Sequence, residues 1–246
     1  MTTHARFTAW AARVAALALG AALLGGCASG PHANPADPFE PYNRGMTTFN
    51  DNVDKAVLKP VATLYRDATP QPLRTGVGNF FANLGDAWSF VNNLLQLRPL
   101  EAYDSMVRFS VNSVLGLGGV LDIASEMGVE RHRQDFGLTL GRWGVPTGPY
   151  LVLPLLGPST VRDTAALPVD YMVGDLVDHV HDVPVRNSLY GLRFIDKRAQ
   201  LLGATTVLDE AALDPYSFTR DVYLKLRNPA DAGADDDQGG KLPEDY

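Results

Sequence analysis

A mainly α-helical protein is what three features of this 246-residue sequence imply. Apolar residues recur at intervals of three and four along most of the chain, prolines open several of these runs and glycines close others. Alternation with a period of two is confined to residues 150–153, so a sheet protein is not expected. The chain is 46% hydrophobic and 20% charged, which suits one folded unit with a real core, and it has no internal repeat.

Residues 1–26 stand apart from that unit. His4, Arg6 and Arg13 precede an uninterrupted apolar run over residues 14–24, and no acidic residue occurs in the segment, which reads as a secretory signal. The run is well short of the ~20 residues that a membrane-spanning helix needs. It ends in Leu24-Gly25-Gly26-Cys27, which resembles a bacterial lipobox, the alternative being an ordinary cleavage site. In a lipobox the cysteine becomes the first residue and carries the lipid. Acyl chains adding ~0.8 kcal/mol per buried methylene would then hold the mature chain on a membrane. Ala28 rather than Asp follows, as in lipoproteins sorted to the outer membrane. Cys27 is also the sole cysteine, which rules out an intramolecular disulfide and any multi-cysteine metal site.

Charge argues against nucleic-acid binding. The net charge is −7, no basic cluster appears, and loss of Arg6 and Arg13 with the signal takes the mature chain to −9. Most of that lies in residues 231–246, where Asp231, Asp235, Asp236, Asp237, Glu244 and Asp245 face Lys241 alone, a composition expected of a disordered acidic tail.

Residues 27–36 form a lipidated tether, and order is expected from Asp37. Asp37-Pro38-Phe39-Glu40 has the grammar of a helix start, with Asp37 as cap and proline at the first position. Tyr42, Met46, Phe49, Val53 and Val57 then mark one helix face, which Pro60 kinks or ends. From 70 to 97 the helical period continues through Leu73, Val77, Phe81, Leu84, Trp88, Val91 and Leu95. Gly76, Gly78 and Gly85 favour two shorter helices over one. Pro99 opens a helix over 99–114 in which Asp104 can pair with Arg108, and Gly116, Gly118 and Gly119 stop it.

Residues 143–161 are uncharged and apolar, but Pro146, Pro149, Pro154 and Pro158 forbid a transmembrane helix. An apolar hairpin remains, either buried in the protein or dipping into a bilayer, with Trp143 and Tyr150 suited to the interface. Leu189, Leu192, Ile195, Ala199 and Leu202 define a later helix with Arg193, Lys197 and Arg198 on its other sides. Asp214-Pro215 starts a last one bearing Phe218, Val222 and Leu226.

No catalytic constellation emerges. Ser159 lies in Gly157-Pro158-Ser159-Thr160-Val161, which lacks the last glycine of a nucleophile elbow. His179 and His181 would point apart on a helix, so a solvated polar face is preferred to a metal site. Gly116-Leu117-Gly118-Gly119 lacks the strand and later glycine of a dinucleotide site. Arg131, His132 and Arg133 form a small basic knot that could meet phosphate headgroups, although an exposed loop beside Glu130 and Asp135 is simpler.

Five ordered motifs carry a resemblance. They are Asp37-Pro-Phe-Glu-Pro-Tyr-Asn-Arg44, Arg108-Phe-Ser-Val-Asn-Ser-Val-Leu-Gly116, Asp135-Phe-Gly-Leu-Thr-Leu-Gly141, the run from Gly148-Pro-Tyr150 through Gly157 to Asp163, and Asp214-Pro-Tyr216. Together with Cys27 they resemble the MlaA (VacJ) family of outer-membrane lipoproteins over about residues 37–226. The resemblance implies an MlaA-like helical domain over 37–230. It also implies a ring-shaped, membrane-embedded lipoprotein on the periplasmic side of the outer membrane, bound to trimeric porins. Such a protein removes phospholipids misplaced in the outer leaflet and passes them to a soluble periplasmic carrier. No cofactor, metal or enzymatic activity is implied, and phospholipid is the transported ligand. A porin-bracing lipoprotein without transfer activity and a lipid-modifying enzyme are the alternatives.

On this reading the helices surround an amphipathic path. Trp143, Tyr150, Leu151, Leu153 and Leu155 of the hairpin gate or flank it, and Asn92, Asn93, Gln96 and Asn112 are candidates for its polar lining. Ordinary helix-surface exposure is the alternative for those amides.

Overall fold

The computed structural model describes Asn34, residues 36–205 and residues 212–228. The signal segment, Cys27, most of the tether and the acidic tail lie outside the described residues. Helix α1 (Glu40–Val53) passes through a wide π turn (Asp54–Leu58) into α2 (Lys59–Ala68). Asp37 does not cap α1. The cap position is Phe39, without a side-chain bond. The buried Asp37 carboxylate instead accepts hydrogen bonds from Asn43 Nδ2 (2.8 Å), the Tyr216 hydroxyl and Arg220, so distant partners outcompete the local cap. Nor does Pro60 end the helix. The π turn has already shifted the ladder, Lys59 N–H bonding to Asp54 O, and Pro60 falls in the first turn of α2 where no donor is required.

A single helix, α3 (Gln71–Leu95), replaces the two that its glycines suggested. Gly76 and Gly78 serve close approach rather than bending: a Cβ would fall 2.8 Å from Val120 Cγ1 at the first and 2.7 Å from Gln200 Nε2 at the second. Helix α4 (Pro99–Val114) folds back on α3 after a tight turn and makes the largest helix contact in the fold. Gly119, with φ +95°, ends the following loop against Asn83. The short α5 (Ile123–Glu126) is capped by Asp122, and α6 (Phe136–Arg142) by Asp135.

The uncharged run forms a hairpin. Strand β1 (Tyr150–Leu153) pairs antiparallel with β2 (Gly157–Thr160), from Tyr150 opposite Thr160 to Leu153 opposite Gly157. Thr160 caps α7 (Val161–Val169), which passes through a second π turn (Asp170–Gly174). Asp182 caps α8 (Val183–Gln200), which packs on α2 and α3, and α9 (Pro215–Leu226) leans on β2.

The buried residues are mostly polar, and many large apolar side chains are exposed. Among the described residues eighteen polar or charged residues are buried against ten apolar ones, five of them alanine. Leu97 (88% exposed), Leu100 (77%), Val114 (77%) and Leu117 (74%) face outward, the reverse of the distribution that water imposes on a soluble domain. Hydrogen bonding holds that interior together. Arg108, 1% exposed, donates to Asp122 through Nη2 and to Asp86 through Nε, and Arg131 closes the cluster on both carboxylates. The expected pair between Asp104 and Arg108 does not form, because these buried partners claim Arg108 and Asp104 meets His132 instead. No described helix is long and apolar enough to cross a membrane.

Candidate functional site: a passage beside the hairpin

Four cavities share walls in series. The first, about 540 Å³, lies between the hairpin tip, the π turn after α1 and α8. It shares Leu156, Leu167, Asp170, Phe194 and Lys197 with a second of about 610 Å³, which extends toward Trp88 of α3. The second meets a third of about 420 Å³ at Phe81, Trp88, Arg193 and Lys197. The third meets a fourth of about 360 Å³ at Gly78, Asp196, Arg133 and Gln200. The result is a passage along α8, apolar at the hairpin end and polar at the other.

Helix α1 positions the hairpin. Asn43 uses both ends of its carboxamide on the outer edge of β1, and Asn50 does the same at the end of β1 and the turn that follows. Leu153, Leu155 and Leu156 thereby line the first cavity. Leu155 sits at the tip with φ +62°. Pleating sends the alternate residues the other way, so Tyr150 and Val152 are buried and Leu151 is half-buried. Tyr150 is thus not an interfacial residue as expected; it packs edge-on to Tyr216 and Tyr223 and anchors the hairpin in the core. Trp143 is half exposed, donates to Leu95 O and meets the Phe136 ring.

The four amides proposed as a polar lining are buried rather than exposed on helix surfaces, and all of them bond inside the helix pack, although Asn93 Oδ1 is left without a hydrogen-bond partner. Asn92 bonds Thr139 and Trp88 O, Asn93 bonds Ser105, Gln96 bonds Gln134 and Thr139, and Asn112 bonds Asp122 and the Ala124 N–H. None is in the walls of these four cavities.

The passage charges come from elsewhere. Arg227 binds Asp135 and Asp163, Arg198 binds Asp54, and Arg193 binds Asp175. Burial pushes the Asp163 carboxyl up, but Arg227 and Arg162 more than offset it and hold it below the usual carboxylate range. The exposed Lys197 side chain has no hydrogen-bond or ion-pair partner among the described residues, and it borders three of the four cavities. Asp170 accepts from Trp88 Nε1 (2.7 Å) and the Phe136 N–H (2.8 Å), both through Oδ1, and makes no ion pair, the charge of Arg227 reaching it only from a distance. Burial raises its carboxyl despite those bonds. In the basic knot, Arg131 binds Asp86 and Asp122, His132 meets Asp104, and exposed Arg133 borders the third and fourth cavities. The Ser159 hydroxyl bonds Thr160 O and Thr164, and His179 bonds its own loop at Asp175 O. No group of three His, Cys, Asp or Glu among the described residues is placed to hold a metal.

The family model described as MlaA lipoprotein matches residues 35–230. The chain belongs to the MlaA lipoprotein family. It is 38% identical over 225 residues to the intermembrane phospholipid transport system lipoprotein MlaA of Shigella flexneri, covering 87% of this chain and 86% of that protein. The protein of the same name from Escherichia coli (strain K12) matches at the same identity and coverage. That of Haemophilus influenzae is 34% identical over 223 residues, covering 84% of this chain and 85% of its own. A solved structure reported as the structural basis for maintenance of bacterial outer membrane lipid asymmetry aligns with a TM-score of 0.68 at 35% identity, covering 78% of this chain and 97% of that one.

Within this MlaA family member, sequence reasoning missed Asp170 and Phe194 as passage residues and saw Lys197 only as one basic side of a helix. The seven-residue spacing of Asn43 and Asn50, two turns apart on one face, was a signal available in the sequence.

Proposed function

We propose that this chain is an outer-membrane lipoprotein, anchored through acylated Cys27 and embedded from the periplasmic side as a helical ring. It removes phospholipids misplaced in the outer leaflet, beside a trimeric porin, and hands them to a soluble periplasmic carrier. The names of its relatives support the transport role. The observation that carries the reading is the passage itself, apolar along Leu153, Leu155 and Leu156 and charged along α8, inside a body that exposes many large apolar side chains.

Moving a phospholipid breaks no bond, so the barrier is that of bringing a charged headgroup into low dielectric, several kcal/mol for an unpaired ion. A polar wall beside an apolar one lowers it. Acyl chains follow the leucines and Phe194 while the phosphate meets the unpaired ammonium of Lys197. Mass spectrometry of the chain copurified with its porin provides the test. Intact bound phospholipid is the expected result. Lysolipid would indicate an enzyme, and absence of lipid would indicate a bracing lipoprotein; either overturns the reading.

A further inference from the structure

The wall shared by the first two cavities holds three charged groups, Asp135, Asp170 and Lys197. Asp135 is engaged by Arg227, which leaves one acid and one base. These two do not pair with each other, and neither meets an opposite charge within 4.0 Å among the described residues. Asp170 also keeps Oδ2 without a hydrogen-bond donor, since Trp88 and Phe136 both use Oδ1. Asp170 is partly buried with one oxygen free of donors, and the Lys197 ammonium stands exposed at the same wall, so a ligand seated at the junction meets one fixed charge of each sign. The arginines of these two cavities, Arg198, Arg227 and Arg193, are already paired with Asp54, Asp163 and Asp175.

From this, and resting on the transport reading above, we infer that the junction of the two cavities is a zwitterionic headgroup subsite, Lys197 taking the lipid phosphate and Asp170 the primary ammonium of phosphoethanolamine. A phosphoglycerol headgroup offers Lys197 the same phosphate but brings only hydroxyls to Asp170, and its net negative charge meets the carboxylate unfavourably. Discrimination therefore has an attractive and a repulsive half. Trp88 supports the site by holding Asp170 through its indole N–H, and the Gly174 that ends the π turn leaves the ring its room: a Cβ there would fall 2.3 Å from Trp88 Cε2.

The test is native mass spectrometry of the full-length acylated chain in detergent, offered equimolar phosphatidylethanolamine and phosphatidylglycerol with identical acyl chains. The unaltered chain should retain phosphatidylethanolamine about fivefold over phosphatidylglycerol, the ratio that ~1 kcal/mol gives. Asp170→Asn keeps Oδ1 as acceptor for Trp88 and Phe136 and removes the charge alone. It should bring the ratio to about one, chiefly by losing phosphatidylethanolamine. Lys197→Met should weaken both lipids together. The unaltered chain gives an independent reading, since raising the salt should shrink its preference. Equal retention of the two lipids by the unaltered chain, or an unchanged ratio in Asp170→Asn, overturns the headgroup subsite and leaves transport standing. Retention of neither lipid overturns both.

Discussion

Asn50 repeats, two turns along α1, the bond pair that Asn43 makes with the edge of β1. Asn43 donates to Tyr150 O (3.0 Å) and accepts from the Val152 N–H (2.8 Å); Asn50 donates to Leu153 O (2.9 Å) and accepts from the Leu155 N–H (2.8 Å). A helix thus supplies what a third strand would. Two stacked carboxamides complete the backbone pairing of a two-stranded hairpin that is only marginally stable alone.

The two positions should differ when truncated. Asn43 is fully buried, and Asn43→Ala strips the strand edge of both its bonds and Asp37 of one of its three donors, for a cost of about 2–3 kcal/mol. Asn50 lies nearer the tip, so Asn50→Ala should cost about 1 kcal/mol while freeing the leucine end of the hairpin. Hydrogen exchange should then quicken at residues 153–157 and stay slow at 150–152. Uniform quickening would mean that the clamp is not divided in this way.

Legibility followed the range of the interactions. The helix over 99–114, the hairpin and the α9 start were readable because proline, glycine and local periodicity set them. The single α3 was not readable, because Gly76 and Gly78 answer to Val120 and Gln200, far along the chain. The Asp37 cap failed for the same reason, being claimed by Tyr216 and Arg220. Of the site, the leucine edge showed in the uncharged run. The pairing of Asp170 with Trp88 bridges 82 positions and left no local trace.

Arg108 should be the most sensitive core position. Its guanidinium sits between Asp86 and Asp122 at 1% exposure, and Arg108→Met leaves two carboxylates to share Arg131 alone, which costs about 3 kcal/mol. Urea unfolding in detergent measures it. Adding Asp86→Asn should recover part of the loss, since Arg131 then faces a single carboxylate.

The same cluster sets an acid response of defined sign. Burial opposes ionisation of Asp122, but hydrogen bonds from Ser125 and Asn112 and the charge of Arg108 draw it down to about 2. Its stabilising contribution is therefore present above an unfolded value of ~3.9 and lost as pH falls through about 2. Asp86 works oppositely: burial raises its carboxyl, so its contribution is present at low pH and lost as pH rises through the raised value. Asp122→Asn should flatten the loss of stability below pH ~4, and Asp86→Asn should steepen it. Thermal unfolding against pH distinguishes the two.

Cys27→Ser should abolish incorporation of labelled palmitate without releasing the chain into the soluble fraction. The outward apolar side chains, Leu97, Leu100 and Val114 among them, each favour lipid by ~1.5–3 kcal/mol when covered. A freely soluble variant would show that the anchor alone holds the protein on the membrane.

Leu155 gives the sharpest test of the hairpin as a gate. It occupies the tip at φ +62°, where aspartate is tolerated better than most residues, so Leu155→Asp changes chemistry without forcing the backbone. It would place a carboxylate in the apolar end of the first cavity, where acyl chains must pass at a penalty of several kcal/mol. Leu153→Asp acts on the same wall. Cells carrying either variant should accumulate outer-leaflet phospholipid to the level of a strain lacking the protein. Leu155→Gly, which keeps the turn and removes the side chain, should leave removal intact. Normal outer-leaflet composition in both aspartate variants would show that lipid does not pass the hairpin leucines.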